Sequence, residues 1–134
     1  IIFRLPSFSR NLRHELKASR KIYFYDNGIR NALIANYSAP EIRQDIGASW
    51  ENFVLSERMK CNEYYSHWVN RYFWRTTQQQ EIDYLEEGGG KLQAYEIKWN
   101  ARKKATITKT FTDAYPDTAF KVITPDNIAE FLLP

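Results

Sequence analysis

The chain has 134 residues, of which 43% are apolar and 16% aromatic, a composition typical of one globular domain with its own core. Its net charge of +3 does not by itself indicate a nucleic-acid partner, and no apolar run approaches the ~20 residues of a membrane span. Cys61 is the single cysteine and neither His14 nor His67 has a partner at zinc-ligand spacing, which favours a cytoplasmic protein with no zinc site and no membrane contact.

The first third of the chain predicts a strand followed by a helix. "RKIYF" is a β-rich run, Asp26-Asn27-Gly28 is typical of a turn, and residues 29–34 predict a short helix. Asp26 is interpreted as a turn residue. The chain lacks an initiator methionine, so we expect it to be part of a longer protein. Residues 1–46 would then form an N-terminal strand and helix segment that links to a missing upstream module.

The remaining segments predict a mixed α/β arrangement. A helix is expected from Gly47 or Ser49, with Trp50, Phe53 and Val54 as its apolar stripe. Three strands follow as a meander, then a loop with a helix, a buried strand and a final helical turn. The segments read VNRYFWRTT, EIDYLEE, KLQAYEIKW, KATITKTFTDAYPD, AFKVITP and DNIAEFLL. The large aromatic side chains Trp50, Phe53, Trp74 and Trp99 are interpreted as core residues.

The glycines 88–90 join two of these strands, since glycine tolerates the positive φ of a tight loop. Folding the hairpin about them, with a loop of roughly four residues, predicts the cross-strand pairs Leu85–Ala94, Tyr84–Tyr95, Asp83–Glu96, Ile82–Ile97 and Glu81–Lys98. Side chains alternate between the faces of a strand. We therefore expect an apolar face that consists of Ile82, Tyr84, Tyr95, Ile97 and Trp99. The opposite face would carry Glu81, Asp83, Glu96 and Lys98.

The facing carboxylates of Asp83 and Glu96 would repel each other, because like charges in cross-strand pairs are destabilising. Proton sharing, full exposure to water or a bound divalent cation would offset the repulsion. Mg²⁺ takes oxygen ligands from one or two carboxylates, and Lys98 beside it would hold a water or a substrate oxygen. This arrangement suits metal-assisted cleavage of a phosphodiester. The alternative is a solvated face on which Glu81 and Lys98 form an ordinary ion pair.

Four blocks of the sequence carry a resemblance to known proteins: KIYFYDNGIRNAL, GASWENFVLSE, YFWRTTQQQEIDYL and AYEIKW. Asp83 and the "EIK" of 96–98, with Glu51 on the preceding helix, resemble the PD-(D/E)xK nuclease superfamily, which includes restriction endonucleases and archaeal Holliday junction resolvases. Together the blocks are similar to the C-terminal domain of unknown function of a bacterial and archaeal family of AAA+-type ATPases. The resemblance implies a restriction-endonuclease-like core over residues 47–134, with a mixed sheet flanked by helices.

The resemblance also implies roles for individual residues. Asp83 and Glu96 would be ligands of Mg²⁺ or Mn²⁺, and Glu51 would reach the metal directly or through water. Lys98 would position the attacking water or stabilise the phosphorus centre, as in an endonuclease that cleaves DNA. Ile82 stands where the name-giving motif has proline. No Walker A pattern occurs, so we expect the ATP site in an upstream ATPase module of the same protein.

A second function remains open from the sequence. The nuclease-like fold would serve as a non-catalytic interaction module, docking on the ATPase subunits or forming a homo-oligomer, as the surplus of aromatic residues favours. Arg75 is interpreted as the partner of a carboxylate in preference to a DNA phosphate, and Glu57 as a solvated or ion-paired residue.

Overall fold

The computed structural model describes residues 1–10 and 12–133, and in that part it contains six strands and four helices. The strands are β1 (Ile2–Pro6), β2 (Arg20–Phe24), β3 (Asn70–Arg75), β4 (Glu81–Gly88), β5 (Lys91–Ile97) and β6 (Ala119–Ile123). The helices are α1 (Asn27–Leu33), α2 (Ile46–Tyr64), α3 (Lys109–Ala114) and α4 (Ile128–Leu132), and a 3-10 turn covers Pro40–Ile42. The predicted order of helix, three-strand meander, helix and strand is confirmed.

The main sheet has the strand order β3-β4-β5-β6 and is mixed. Its first three strands are antiparallel, whereas β6 runs parallel to β5 and is reached through α3, as a parallel connection requires a crossover. β1 and β2 form a separate antiparallel ribbon, and a bridge between Ser7 and Phe73 connects the end of β1 to β3. The mixed α/β class is therefore confirmed, while β1 was not predicted from the sequence.

Both early helices begin slightly before their predicted starts. Asp26 caps α1, because its Oδ1 accepts hydrogen bonds from the backbone N–H groups of Gly28 and Ile29 at 2.6 and 3.3 Å. The residue interpreted as a turn former therefore also starts the helix. α2 begins at Ile46, one residue before the predicted Gly47. No helix in the described residues is long and apolar enough to cross a membrane.

Two hydrophobic clusters lie on opposite faces of the main sheet, as the alternation of neighbours such as Phe73 and Trp74 requires. The first cluster joins the sheet to α2, α4 and the β1–β2 ribbon, and consists of Phe3, Leu5, Tyr23, Trp50, Val54, Leu55, Met59, Phe73, Tyr84, Tyr95, Ile97, Ile123 and Phe131. The second cluster joins the sheet to α3, and consists of Phe8, Trp74, Ile82, Leu85, Ala94 and Phe111. The N-terminal ribbon thus shares a core with α2.

The aromatic residues assigned to the core divide into two groups. Trp50 and Trp74 are buried, at 8% and 0% exposure, as predicted. Phe53 and Trp99 are each 38% exposed, so their assignment to the core is wrong. Phe53 lies at the margin of the apolar stripe of α2, and Trp99 follows the last residue of β5, where the alternation of the strand no longer applies.

The register of the β4–β5 hairpin is confirmed near its loop. The pairs run from Gly88–Lys91 to Tyr84–Tyr95 and include Leu85–Ala94. The loop has two residues, so the expected length of roughly four is wrong, because the strands pair as far as Gly88–Lys91. Gly89 and Gly90 have φ values of +58° and +74°, as the favoured two-residue hairpin turn requires.

A β-bulge interrupts the other side of β4. Tyr72 pairs with Leu85 but Trp74 pairs with Ile82, so Asp83 and Tyr84 stand opposite a single residue of β3. The extra residue reverses the alternation of the strand. Ile82 therefore packs in the second cluster, and the prediction that it shares a face with Tyr84 is wrong.

Candidate functional site

The predicted carboxylate pair lies where the β4–β5 ladder ends. In the described part of the chain this ladder stops at Tyr84–Tyr95, so the predicted pairings of Ile82 and Glu81 with β5 are wrong. The Oδ2 atom of Asp83 instead accepts a hydrogen bond of 2.9 Å from the backbone N–H of Ile97. A side-chain oxygen thus takes the place of a ladder carbonyl at the bulge.

Asp83 and Glu96 approach each other closely enough for a hydrogen bond between their carboxyl groups. Burial, the charge of Asp83 and that hydrogen bond raise the pKa of Glu96 to about 8, and Lys98 opposes the rise. The Nζ atom of Lys98 lies 3.7 Å from Oε2 of Glu96. With its pKa raised to about 8, the Glu96 carboxyl keeps its proton near neutral pH, which offsets the repulsion between the two acids.

Glu51 reaches the same region from α2. Its Oε1 atom accepts a hydrogen bond of 3.0 Å from the hydroxyl of Tyr23 and lies 3.7 Å from Nζ of Lys21. Burial and the charge of Asp83 raise the pKa of Glu51, while Lys21 and Tyr23 oppose the rise. Sequence analysis missed both β2 residues. Their spacing of two places them on one side of the strand, but nothing in the sequence shows that this side faces α2.

Glu81 lies beside this group and is fully paired. It forms an ion pair with Lys21, and its Oε2 atom lies 3.1 Å from a guanidinium nitrogen of Arg75. Burial would raise the pKa of Glu81, but the hydrogen bonds and charges of Lys21 and Arg75 outweigh it and lower the pKa. The interpretation of Arg75 as an ion-pair partner is confirmed. The alternative ion pair between Glu81 and Lys98 is wrong, since Lys98 lies beside Glu96.

A cleft of about 380 Å³ opens next to these side chains. Three of the four predicted site residues line it, namely Glu51, Asp83 and Lys98. The rest of its wall consists of Ile46, Gly47, Ile97, Trp99, Asn100 and Lys103. The elements that meet here are the first turns of α2, the bulge of β4 and the end of β5. The structure thus brings three of the predicted residues together around an open space, while Glu96 lies beside Lys98 but does not line the cleft.

Residues 46–130 match a protein family described as a domain of unknown function (DUF4143). The chain belongs to the DUF4143 family. Residues 1–40 match a second family, described as a domain of unknown function (DUF8612). The first match contains all four predicted site residues of this DUF4143 domain, whereas Lys21 and Tyr23, which contact Glu51, fall in the second.

Two curated relatives are similar to this DUF4143 chain. They are "Uncharacterized protein Rv2008c" of Mycobacterium tuberculosis and "Uncharacterized protein Mb2031c" of Mycobacterium bovis. Each is 31% identical over 103 residues, which cover 73% of this chain and 22% of the relative. The chain thus spans about a fifth of the length of these relatives. No solved structure matches it.

The donor set of the DUF4143 site suits a cation held by two carboxylates. Among residues 1–10 and 12–133, no group of three or more His, Cys, Asp or Glu side chains is arranged to hold a metal ion. Asp83 and Glu96 would supply the one or two carboxylates that Mg²⁺ takes while it keeps several waters. Glu51 is engaged with Tyr23 and Lys21, so its access to such a cation would run through water.

Proposed function

We propose that this DUF4143 domain is a PD-(D/E)xK-type nuclease domain that cleaves DNA phosphodiesters with Mg²⁺ or Mn²⁺. The observation that carries the proposal is the grouping of Glu51, Asp83 and Lys98 along one open cleft, with Glu96 3.7 Å from the Lys98 ammonium group. A half-buried pair of acids is costly for folding, and such costs are concentrated at functional sites. The order of the elements agrees with the resemblance that the four sequence blocks carry.

In this mechanism Asp83 and Glu96 would hold the cation through their carboxylate oxygens, once Glu96 has given up its proton to solvent. A bound cation supplies a water of lowered pKa and stabilises negative charge on the phosphate oxygens. Glu51, whose pKa is raised, accepts the proton of the attacking water. The ammonium group of Lys98 stabilises the charge on the phosphorus oxygens. The water oxygen forms a bond to phosphorus, the bond to the leaving oxygen breaks, and that oxygen takes up a proton from solvent.

We also propose that the domain is the C-terminal part of an AAA+-type ATPase of the cytoplasm, with a restriction-endonuclease-like core. These statements rest on the four sequence blocks. The low coverage of the relatives, 22% of their length, leaves ample room in them for an ATPase module.

The experiment that tests the nuclease proposal is titration of Mn²⁺ into the chain by calorimetry, together with a DNA cleavage assay. The parent is expected to bind Mn²⁺ and cut, and Asp83→Asn and Glu96→Gln are expected to lose both, with cleavage reduced at least ~100-fold. Glu57→Gln is the matched control, since Glu57 lies on α2 and pairs with Lys60 at 2.9 Å. Cleavage by Asp83→Asn at the rate of the parent would refute the assignment.

The second candidate function is a docking module without catalysis, which one surface favours. The segment 29–42 exposes Leu33, Ile34, Tyr37 and Ile42, at 69%, 50%, 78% and 74%. Clustered exposed apolar side chains mark interaction surfaces. Sedimentation velocity at rising concentration tests whether copies of the chain associate. If the chain associates, Leu33→Ser abolishes the association and no metal-dependent cleavage is found, the docking module would replace the nuclease as the favoured function. A monomer at all concentrations would count against self-association.

A further inference from the structure

The loop that follows β5 forms a basic and aromatic rim along the cleft. Residues 99–104, with the sequence WNARKK, are all exposed. Trp99 is 38% exposed, and the basic residues Arg102, Lys103 and Lys104 follow it within five positions. A solvated loop needs no tryptophan, and exposure of an indole to water is unfavourable. A ligand with both a flat apolar part and negative charge would suit this rim.

The conformation of the loop directs a basic residue toward the cleft. The Oδ1 atom of Asn100 accepts a hydrogen bond of 3.0 Å from the N–H of Arg102, and the Asn100 carbonyl accepts one of 3.1 Å from the N–H of Lys103. Asparagine side chains commonly stabilise turns in this way. The turn brings Lys103 back, so that it lines the same cleft as Lys98 and Trp99.

The indole of Trp99 is fixed on one side and free on the other. It contacts the buried ring of Trp50 with the ring centroids 5.4 Å apart and an angle of 66° between the planes, an edge-to-face arrangement. Trp50 itself belongs to the first cluster, so Trp99 is attached to the core of the domain. An anchored ring with part of its surface open to a polar cleft has the geometry of a stacking platform.

We propose that the cleft binds an unpaired nucleotide of a single-stranded nucleic acid, with its base stacked on Trp99 and its backbone phosphates at Lys98 and Lys103. Stacking on an aromatic side chain requires a base whose face is free, which excludes the interior of a duplex. Positively charged side chains that follow the backbone are the other half of such sites. The inference rests on the proposed nuclease function and narrows its substrate class to single strands, ends or flaps.

Binding of fluorescently labelled oligothymidylate in EDTA, measured by anisotropy, tests this inference separately from cleavage. The parent is expected to bind the oligonucleotide at least about tenfold more tightly than a blunt duplex of equal length. Trp99→Ala is expected to weaken single-strand binding on the order of tenfold, while Trp99→Phe, which keeps an aromatic face, retains most of it. Trp68→Ala is the control, since Trp68 is 83% exposed and lies outside the cleft.

The salt dependence of the same binding tests the phosphate contacts. Lys103→Ala is expected to lower the slope of log K against log salt by about 0.7, whereas Lys91→Ala at the hairpin loop leaves it unchanged. Equal affinity for duplex and single strand, or an unchanged affinity in Trp99→Ala, would overturn the inference. Metal-dependent cleavage with no effect of Trp99→Ala would leave the proposed function standing and remove this inference. Single-strand binding that Trp99→Ala weakens, with no metal-dependent cleavage by the parent, would support the binding site and remove the proposed nuclease function.

Discussion

The β4–β5 hairpin carries two largely buried glutamates, Glu86 and Glu96, in opposite electrostatic situations. Glu86 is 4% exposed and receives hydrogen bonds of 2.7 to 3.0 Å from Arg58, Asn62 and Tyr84. Burial would raise its pKa, but Arg58 first, and then Asn62 and Tyr84, lower it. Glu96 faces a second carboxyl group, has one lysine at 3.7 Å, and its pKa rises to about 8.

The difference separates a structural carboxylate from a candidate functional one. A buried charge whose oxygens all have partners fixes the packing of its neighbours, here of α2 against β4. A buried acid that faces another acid costs folding free energy and gains a partner only when a proton or a cation arrives. The same hairpin therefore contains one carboxylate that stabilises the fold and one that costs it free energy when ionised.

The largest expected effect is at Glu86. Glu86→Ala leaves the guanidinium of Arg58 without a carboxylate partner and the hydroxyl of Tyr84 without its acceptor, so we expect the free energy of unfolding to fall by about 3–5 kcal/mol. Urea unfolding followed by circular dichroism measures it. The control is Glu130→Ala, because Glu130 is 70% exposed and its pair with Lys121 contributes at most about 1 kcal/mol. A similar decrease in the free energy of unfolding in both variants would show that Glu86 contributes no more to stability than an exposed glutamate.

The next effect has the opposite sign and lies at Glu96. The folded chain keeps the proton of Glu96 up to about pH 8, whereas the unfolded chain releases it near 4.5, so the parent loses stability as the pH rises through this window. Glu96→Gln removes that loss. We expect it to raise the free energy of unfolding by on the order of 2 kcal/mol at pH 8, and to leave it unchanged near pH 4. If Glu96→Gln were less stable than the parent at pH 8, the Glu96 carboxylate would have stabilising partners, as that of Glu86 does.

The smallest effect is expected at Glu81, which is paired but 32% exposed in its side chain. Lys21 and Arg75 lower its pKa, so its contribution to stability is present above about pH 4.5 and is lost as the pH falls through the lowered pKa. Glu81→Gln should cost at most about 1 kcal/mol at pH 7, since solvent screens the pair. Thermal unfolding at low and high salt measures this. If Glu81→Gln lowered the free energy of unfolding as much as Glu86→Ala, solvent exposure would not explain the difference between the two glutamates.

Local signals in the sequence predicted the strands and helices from β2 onward, but not β1, and the part of the site that lies on one hairpin. Gly89 and Gly90 fix a two-residue loop, and the loop fixes the register up to Tyr84–Tyr95. That register is enough to bring Asp83 and Glu96 together. The order of the helices and strands from α2 to β6 could also be predicted from the sequence, because each of them has its own apolar pattern.

Features that depend on contacts between distant segments were not predictable in this way. The bulge at Asp83 depends on the pairing of β4 with β3. The residue types of β4 contain no local signal that predicts it. Lys21 and Tyr23 reach Glu51 only because the N-terminal ribbon packs against α2. Trp99 was assigned to the core because β5 was expected to continue through it, whereas the strand ends at Ile97.

The bulge also lets β4 place two neighbouring side chains where a regular strand would place one. Loss of Tyr84 would restore a regular strand in which Ile82 still pairs with Trp74. Ile82 would therefore stay in the second cluster, and Asp83 would stand alone opposite Phe73, without the ring that Tyr84 adds to the first cluster. The extra residue thus allows one short stretch of strand to supply both a core ring and a carboxylate.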